Sequence, residues 1–236
     1  MEQSPSSQLP RFPDWSEEGG GRRPLTRAQV VEAALDLIDE AGLEGLTMRR
    51  LGERLGVKSA SLYWHVRNKD ELLNLVADAI CSEVQTPSPT ADWREHAEAI
   101  AWEYRRVLHA HTDAAELLAT TLPIGPHRLR LAEMGLATLL EAGFDPVVTA
   151  MAGLLLTDYV TNFVLEETRA EAIAAAFQTD ADPSGGSAIR EWFSALPTDQ
   201  YPSLVALAPH LTDLDPDTRF EFGLQTLLAG LPPRTP

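Results

Sequence analysis

Apolar residues recur three and four positions apart along most of this chain, and glycine or proline stands at nearly every place where the pattern stops. The first apolar face begins after Thr26, a residue type that caps helices, and ends at Gly42. A shorter face runs from Thr47 to Gly56, and a longer one follows Asn68. Strand-like alternation is nearly absent. The sequence therefore predicts an all-α fold.

Two prolines in the segment 86–89 predict a boundary between two sets of helices. Because 236 residues exceed a typical domain of roughly 100–150 residues, we expect a small three-helix N-terminal domain at 22–69 and a larger helical domain at 70–236. The larger domain is expected to begin with a connecting helix at 70–85. Its remaining helices are predicted at 92–111, 126–142, 146–170, 187–195, 201–209 and 216–230.

Two segments lack apolar periodicity altogether. Residues 1–21 are rich in Ser, Pro, Gly and Glu, a composition that predicts a disordered tail. Residues 178–187 (QTDADPSGGS) are expected to form a flexible loop inside the second domain.

Charge is distributed unevenly along the chain. The whole chain carries a formal net charge of −16, which by itself argues against binding to nucleic acid. Residues 21–69, however, hold nine Lys and Arg against six Asp and Glu, so this segment has a net charge of +3 and the remainder −19. An acidic body behind a basic head would repel DNA except through the head.

The cysteine count and the apolar segments bear on location. A single cysteine, Cys81, cannot form an intrachain disulfide, and no secretory signal pattern opens the chain, so we expect a cytoplasmic protein. The most apolar stretch, 147–165, contains Asp158, Asn162 and three threonines, which are costly in a bilayer. This stretch is therefore expected to be a core helix, without a membrane partner.

The run from Leu46 to Lys69 (LTMRRLGERLGVKSASLYWHVRNK) has the layout of a helix-turn-helix. A glycine turn at Gly56 separates two short helices, and the second, of about seven residues, begins near Lys58 or Ser59 with small polar residues. Small side chains let a helix backbone approach base edges in the major groove. The alternative is a surface helical hairpin whose basic residues are merely solvated and whose Leu62 and Val66 pack inward. Under both interpretations we expect Trp64 to be partly buried.

The segment LTMRRLGERLGVKSASLYWHVRNKDELL resembles the DNA-binding region of tetracycline-repressor-type regulators over about 45 residues. The resemblance implies that Arg49 reads guanine, and that Tyr63, His65 and Lys69 contact phosphates. Those repressors carry Gln and Pro where this chain has Ser59 and Ala60, so a different operator is expected. The DNA-contacting set implied is Thr47, Met48, Arg49, Lys58, Ser59, Ala60, Ser61, Tyr63, Trp64, His65 and Lys69.

The resemblance continues more weakly into the second domain and implies an effector site. It places Leu118 at the position of the repressors' metal-binding histidine, and a leucine offers no lone pair to a cation. At three further drug-contacting positions, where those repressors have His, Asn and Gln, this chain has Gln85, Ile100 and Gly135. Tyr104, Thr121 and Glu166 remain as hydrogen-bonding groups. We therefore expect a largely apolar effector, not a magnesium–tetracycline chelate.

The same resemblance implies a homodimer built from helices 146–170 and 216–230. The residues expected at its interface are Leu155, Phe163, Leu224, Leu227 and Leu228, with Leu154 and Val160 beside them. The alternative is that these side chains fill only the core of the monomer. A dimer is favoured because a single reader helix buries too little DNA to be specific.

Catalytic and metal sites are not expected. His109 and His111 lie two positions apart and so point to different faces of a helix, and neither a nucleophile elbow nor a glycine-rich phosphate loop is present in the sequence. We expect no cofactor. The sequence predicts a transcriptional repressor that a small molecule releases from a palindromic operator. The alternative is a DNA-binding activator or scaffold whose second domain makes protein contacts without an inducer.

Overall fold

A computed structural model describes residues 25–88, 90, 92–176 and 186–231. Over these residues the chain forms eleven α-helices and no strand, which confirms the all-α prediction. The predicted tail at 1–21 and residues 178–185 of the predicted loop lie outside the described residues. The helices are α1 Arg27–Gly45, α2 Met48–Leu55, α3 Ser59–Leu62, α4 Lys69–Ser82, α5 Trp93–Ala110, α6 Ala114–Thr120, α7 Pro126–Glu141, α8 Pro146–Ala176, α9 Gly186–Ser194, α10 Pro202–Thr212 and α11 Pro216–Ala229.

Helix α1 begins with a capping box. The Thr26 hydroxyl accepts a hydrogen bond from the Gln29 amide at 3.2 Å, and the Gln29 side chain accepts one from the Thr26 amide at 3.0 Å. Both bonds satisfy amides that a helix start leaves free. The apolar face of α1 then packs against α2 and α4 around a buried core formed by Val30, Ala34, Leu37, Ile38, Leu46, Leu51, Leu62, Val66 and Leu72.

Helix α4 links this N-terminal unit to the rest of the molecule. It packs against α1 on one side and against α5, α6 and α7 on the other. Its apolar residues Leu72, Leu75, Val76 and Ile80 are all buried. Any displacement of α4 relative to α6 or α7 therefore moves the N-terminal unit with it.

Helix α8 is the central element of the second domain. It is long and apolar enough to span a membrane by length and composition alone, but it packs against α5, α6, α7 and α11. Such packing is typical of the core helix of a globular domain. Asp158 and Asn162 lie on its exposed side.

The structure differs from the sequence prediction in three local features. Helix α3 has four residues because Trp64 and His65 donate to carbonyls three residues back, at Ser61 and Leu62, and so tighten the chain into turns. Helix α6 was not predicted, since neither glycine nor proline marks its start after Asp113, which has a φ of +55°. Trp64 is 89% exposed, so the expectation that it is partly buried was wrong.

Candidate DNA-binding surface and effector cavity

Two glycines fix the geometry of the helix-turn-helix. Gly56 ends α2 in the left-handed conformation with a φ of +66°, which a side chain would disfavour. Gly52 is buried at the closest approach of α2 and α3, where a Cβ would lie 2.9 Å from the Val57 carbonyl oxygen. The Thr47 hydroxyl accepts a hydrogen bond from the Arg50 amide at 3.2 Å and begins α2. The pair of helices is therefore held at a fixed spacing.

All eleven residues assigned to DNA contact reach the surface. Leu62 and Val66 are buried beneath α3 and the following turn, so the opposite side of this segment faces outward. Met48, Ser59, Ser61, His65 and Lys69 are half-buried, and the others are exposed. The accessible set is Thr47, Met48, Arg49, Lys58, Ser59, Ala60, Ser61, Tyr63, Trp64, His65 and Lys69.

Arg49 and Arg54, both on α2, differ in the ion pairs that they form. The Arg49 side chain is 80% exposed, and among the described residues its only neighbour of opposite charge within ion-pair range is Glu53, at 3.3 Å on the same helix. Arg54 instead bridges α2 to α1 through Glu40 at 2.7 Å and Asp36 at 3.1 Å, and this contact lowers the pKa of Glu40. Arg49 is thus available to a ligand, whereas Arg54 stabilises the packing of α2 on α1.

His65 lies at the end of the recognition segment, where its backbone carbonyl accepts a hydrogen bond from Arg27 at 3.0 Å. Burial lowers the pKa of His65, and the positive charge of Arg27 lowers it further. Both effects favour the neutral imidazole in the unbound protein.

A cavity of about 710 Å³ lies between α5, α6, α7 and α8. Five of the seven residues that the resemblance assigns to effector binding line it: Ile100, Tyr104, Leu118, Thr121 and Gly135. Most other lining side chains are aliphatic, among them Leu131, Leu136, Leu139 and Val160. An apolar wall with a few polar groups is typical of small-molecule sites.

Gln85 and Glu166 do not line the cavity. The Gln85 amide lies in the segment before α5, where it donates to the Glu103 carboxylate at 3.0 Å, so this residue is at the surface. Glu166 points away from the cavity and pairs with Arg219 of α11 at 2.8 Å. The next residue, Glu167, is the one that α8 turns inward, toward α5. Both expected positions are therefore corrected.

Five polar residues of the cavity wall were missed from the sequence: Arg128, Thr157, Asp158, Thr161 and Asn162. Tyr104 was expected there, and its hydroxyl lies 3.1 Å from that of Thr161. Burial raises the pKa of Tyr104 to about 12, so this hydroxyl stays neutral. Within the described residues, no group of three or more His, Cys, Asp and Glu side chains is placed to hold a metal ion.

Helix α7 carries part of the cavity wall and is joined directly to α4. The buried carboxylate of Asp78, on α4, accepts hydrogen bonds from the amides of His127 and Arg128 at 3.0 and 2.9 Å, at the first turn of α7. Gly125 precedes that turn with a φ of +121°, and a Cβ there would collide with the Asp78 carboxyl group. The cavity wall and the helix that carries the DNA-binding unit thus share a rigid contact.

A direct contact between the two domains involves His111, just after α5. Its Nδ1 lies 2.9 Å from the Asp39 carboxylate of α1, and its Nε2 lies 3.1 Å from Glu83, just after α4. His109 points elsewhere, to Glu167 at 2.8 Å. The two histidines therefore occupy different faces of α5.

The residues expected at a dimer interface divide into two groups. Phe163, Leu224 and Leu228 are buried within the protomer, where Phe163 packs edge-on against Phe220. Their assignment to an interface was wrong because they close the core between α5, α8 and α11. Leu155 is exposed and Leu227 is half-buried. Further exposed apolar side chains on the same two helices include Val147, Met151 and Leu154 of α8, and Phe222 of α11.

The sequence matches two family profiles. Residues 30–76 match the profile described as bacterial regulatory proteins of the tetR family, and residues 86–234 match the tetracyclin repressor-like C-terminal domain. The chain is also similar to the tetracycline repressor protein class C of Escherichia coli. The two share 34% identity over 210 residues, which cover 88% of this chain and 90% of that protein.

Solved structures show the same similarity. The fold matches ActR of Streptomyces coelicolor in complex with actinorhodin, with a TM-score of 0.78 and 36% identity over 88% of this chain and 96% of that one. It also matches a TetR variant of Acinetobacter baumannii AYE in complex with minocycline, with a TM-score of 0.64 and 31% identity over 87% and 92% of the two chains. The chain therefore belongs to the TetR family of transcriptional regulators, which are DNA-binding proteins without enzymatic activity.

Proposed function

We propose that this protein is a transcriptional repressor that a small molecule, held in the second domain, releases from a palindromic operator. The observation that carries this proposal is the cavity of about 710 Å³, whose wall includes α7. A cavity of this size falls within the range of small-molecule sites. A second domain used only for protein contacts has no need of such a space.

The contact between Asp78 and the start of α7 supplies the coupling. Arg128 lines the cavity, and its own backbone amide is bound by Asp78 of α4. A ligand that shifts α7 therefore acts on α4, which packs against α1 of the DNA-binding unit. A ligand changes operator affinity only if it binds the two arrangements of α4 with different affinity.

The two domains are proposed to have separate roles. Residues 22–69 read DNA through Arg49 and the start of α3, and residues 70–236 bind the effector and dimerise. Two copies are needed because one reader helix buries too little DNA for specificity. Exposed apolar residues of α8 and α11 provide the dimer surface. A regulator of this kind acts on DNA in the cytoplasm.

The effector is proposed to be largely apolar and to bind without magnesium. Leu118 lies in the cavity wall and offers no ligand to a metal. Compared with the residues expected in the tetracycline repressors, Ile100 makes this wall less polar and Gly135 leaves it more open. A Cβ at Gly135 would meet nothing within 4 Å. The complexes of relatives with actinorhodin and minocycline suggest polycyclic aromatic compounds as the first candidates.

The test measures the release of a selected operator duplex by fluorescence anisotropy. Tetracycline, with and without magnesium, is compared with actinorhodin and a panel of apolar aromatic and polyketide-like compounds. We expect release by one or more of the aromatic compounds without magnesium. Release by tetracycline only in the presence of magnesium would contradict the proposed effector class. Binding of DNA that no compound weakens would favour an activator or scaffold.

A further inference from the structure

Arg128 stands apart from the other side chains of the cavity wall because it brings a full positive charge to an apolar space. We infer that the cavity takes a molecule with an apolar polycyclic body and one anionic group, such as a carboxylate, which Arg128 binds. This inference rests on the proposed function only in taking the cavity to be the effector site. It adds the charge of the ligand and the residue that selects for it.

The guanidinium group of Arg128 is fixed in place by neutral oxygens at the end of α6. Its Nη1 donates to the Thr121 hydroxyl at 2.9 Å and to the Leu122 carbonyl at 2.8 Å, and its Nη2 donates to the Leu118 carbonyl at 3.1 Å. Within the described part of the chain, these three bonds leave two of the five guanidinium N–H donors without an acceptor. The side chain is thus pre-oriented, and its remaining N–H donors can bind a ligand.

No carboxylate among the described residues forms an ion pair with this guanidinium group. Asp78 binds the backbone amides of His127 and Arg128 and forms no ion pair with the guanidinium group. Asp158 lies in the cavity wall on α8, is exposed to solvent, and likewise forms no ion pair with Arg128. A half-buried cation without a counter-ion is stabilised by an anion that enters with the ligand.

The other side chains of the cavity wall favour a ligand with an apolar body. Leu118, Leu131 and Leu136 line the same cavity as Arg128, and Tyr104 adds a neutral hydroxyl. Charge-assisted bonds from a guanidinium to a carboxylate are about twice as strong as bonds between neutral groups. A carboxylate ligand should therefore bind better than its neutral amide of the same shape.

The experiment compares anthraquinone-2-carboxylate with anthraquinone-2-carboxamide by isothermal titration calorimetry on the full-length protein. We expect the carboxylate to bind at least about tenfold more tightly than the amide. Arg128→Gln should bring the two affinities to within about twofold of each other while leaving amide binding nearly unchanged. Arg128→Lys keeps the charge without the planar fork and should retain part of the preference.

A matched control lies two residues further along α7. Arg130 also donates to neutral backbone oxygens, those of Val84 and Cys81, but it is exposed and does not line the cavity. Arg130→Gln should keep the full preference for the carboxylate.

The inference is overturned if the acid and amide bind equally, if the acid does not bind at millimolar concentration, or if Arg128→Gln keeps the preference. Operator release is measured separately, so a carboxylate that binds through Arg128 without releasing DNA contradicts the proposed function and leaves this inference standing.

Discussion

Single side chains of α2 show how neighbouring arginines of one helix take different roles. Arg54 is tied to two carboxylates of α1, whereas Arg49 projects into solvent beside Glu53. Exposed ion pairs within one helix contribute little to stability. Arg49 is therefore free to leave Glu53 for a base or a phosphate, and Arg54 is not.

Replacing Arg49 with alanine is expected to weaken binding to the selected operator by about 1–3 kcal/mol and to relax base preference at one position of each half-site. Lys69→Ala should instead weaken all sequences and lower the slope of log affinity against log salt by about one. Anisotropy titrations on specific and random duplexes at several salt concentrations measure both effects. Equal losses on both duplexes for Arg49→Ala would show that Arg49 does not read bases.

Arg54→Ala is the matched control for Arg49→Ala, because it removes a guanidinium from the same helix. It should lower thermal stability through the loss of the contact between α1 and α2, with little change in base preference. If Arg54→Ala changed base preference as much as Arg49→Ala does, the two arginines would not have the different roles assigned to them.

The positions of several single residues could be predicted from the sequence, and others could not. The exposure of the proposed DNA-contacting residues was predictable because Thr47, Gly56 and the apolar pair Leu62 and Val66 fix which side of a short helix faces outward. Glu166 and Glu167 could not be told apart, since adjacent residues on a long helix differ only in rotation and α8 is apolar on most sides. Arg128 gave no signal, because its partners are backbone oxygens that any sequence supplies.

Among the contacts between helices, that between α4 and α7 is closely constrained. One buried carboxylate, that of Asp78, satisfies two amides at the start of α7, and Gly125 leaves the space in which it lies. Proline at the first position of α7 was visible in the sequence as a helix start. The partner on α4 was not, because nothing local links residues about 50 positions apart.

Gly125→Ala is expected to destabilise the protein by about 2–4 kcal/mol, because alanine is strained at this φ and its methyl group meets the Asp78 carboxyl. Gly135→Ala, inside α7, is the matched control, because a Cβ there meets open space. It should stabilise the protein by about 0.5–1 kcal/mol through helix propensity. Urea unfolding of both variants gives the comparison. Equal stabilities of the two variants would rule out the close contact between Asp78 and the turn.

At the scale of the whole molecule, the protomer leaves an apolar face uncovered. Val147, Met151, Leu154 and Leu155 are spaced as one face of α8, and all four are exposed. Phe222 of α11 is 75% exposed. Contiguous apolar surface of this kind marks an interaction site in soluble proteins.

A charge placed on this face should separate the protomers without unfolding them. Met151→Asp and Phe222→Asp are each expected to yield folded monomer with strongly reduced operator affinity, because an unpaired carboxylate is costly at a closed interface. Leu129→Asp is the control, since Leu129 is similarly exposed but lies on α7. Sedimentation velocity and circular dichroism provide the readout. Dimers of unchanged stability in both variants would place the interface elsewhere.

The charge distribution is also a property of the whole molecule. A segment of +3 at 21–69 faces a remainder of −19, so the acidic domain repels DNA and leaves the basic surface as the docking site. Two such surfaces related by a two-fold axis would meet two half-sites of opposite orientation.

Operator recognition can be measured by selecting bound fragments from a random duplex library and footprinting the enriched sequence. We expect one enriched motif made of two inverted half-sites, protected symmetrically by a dimer. A library that shows no enrichment, or a single unpaired motif bound by one protomer, would contradict the claim that this chain reads a palindromic operator as a dimer.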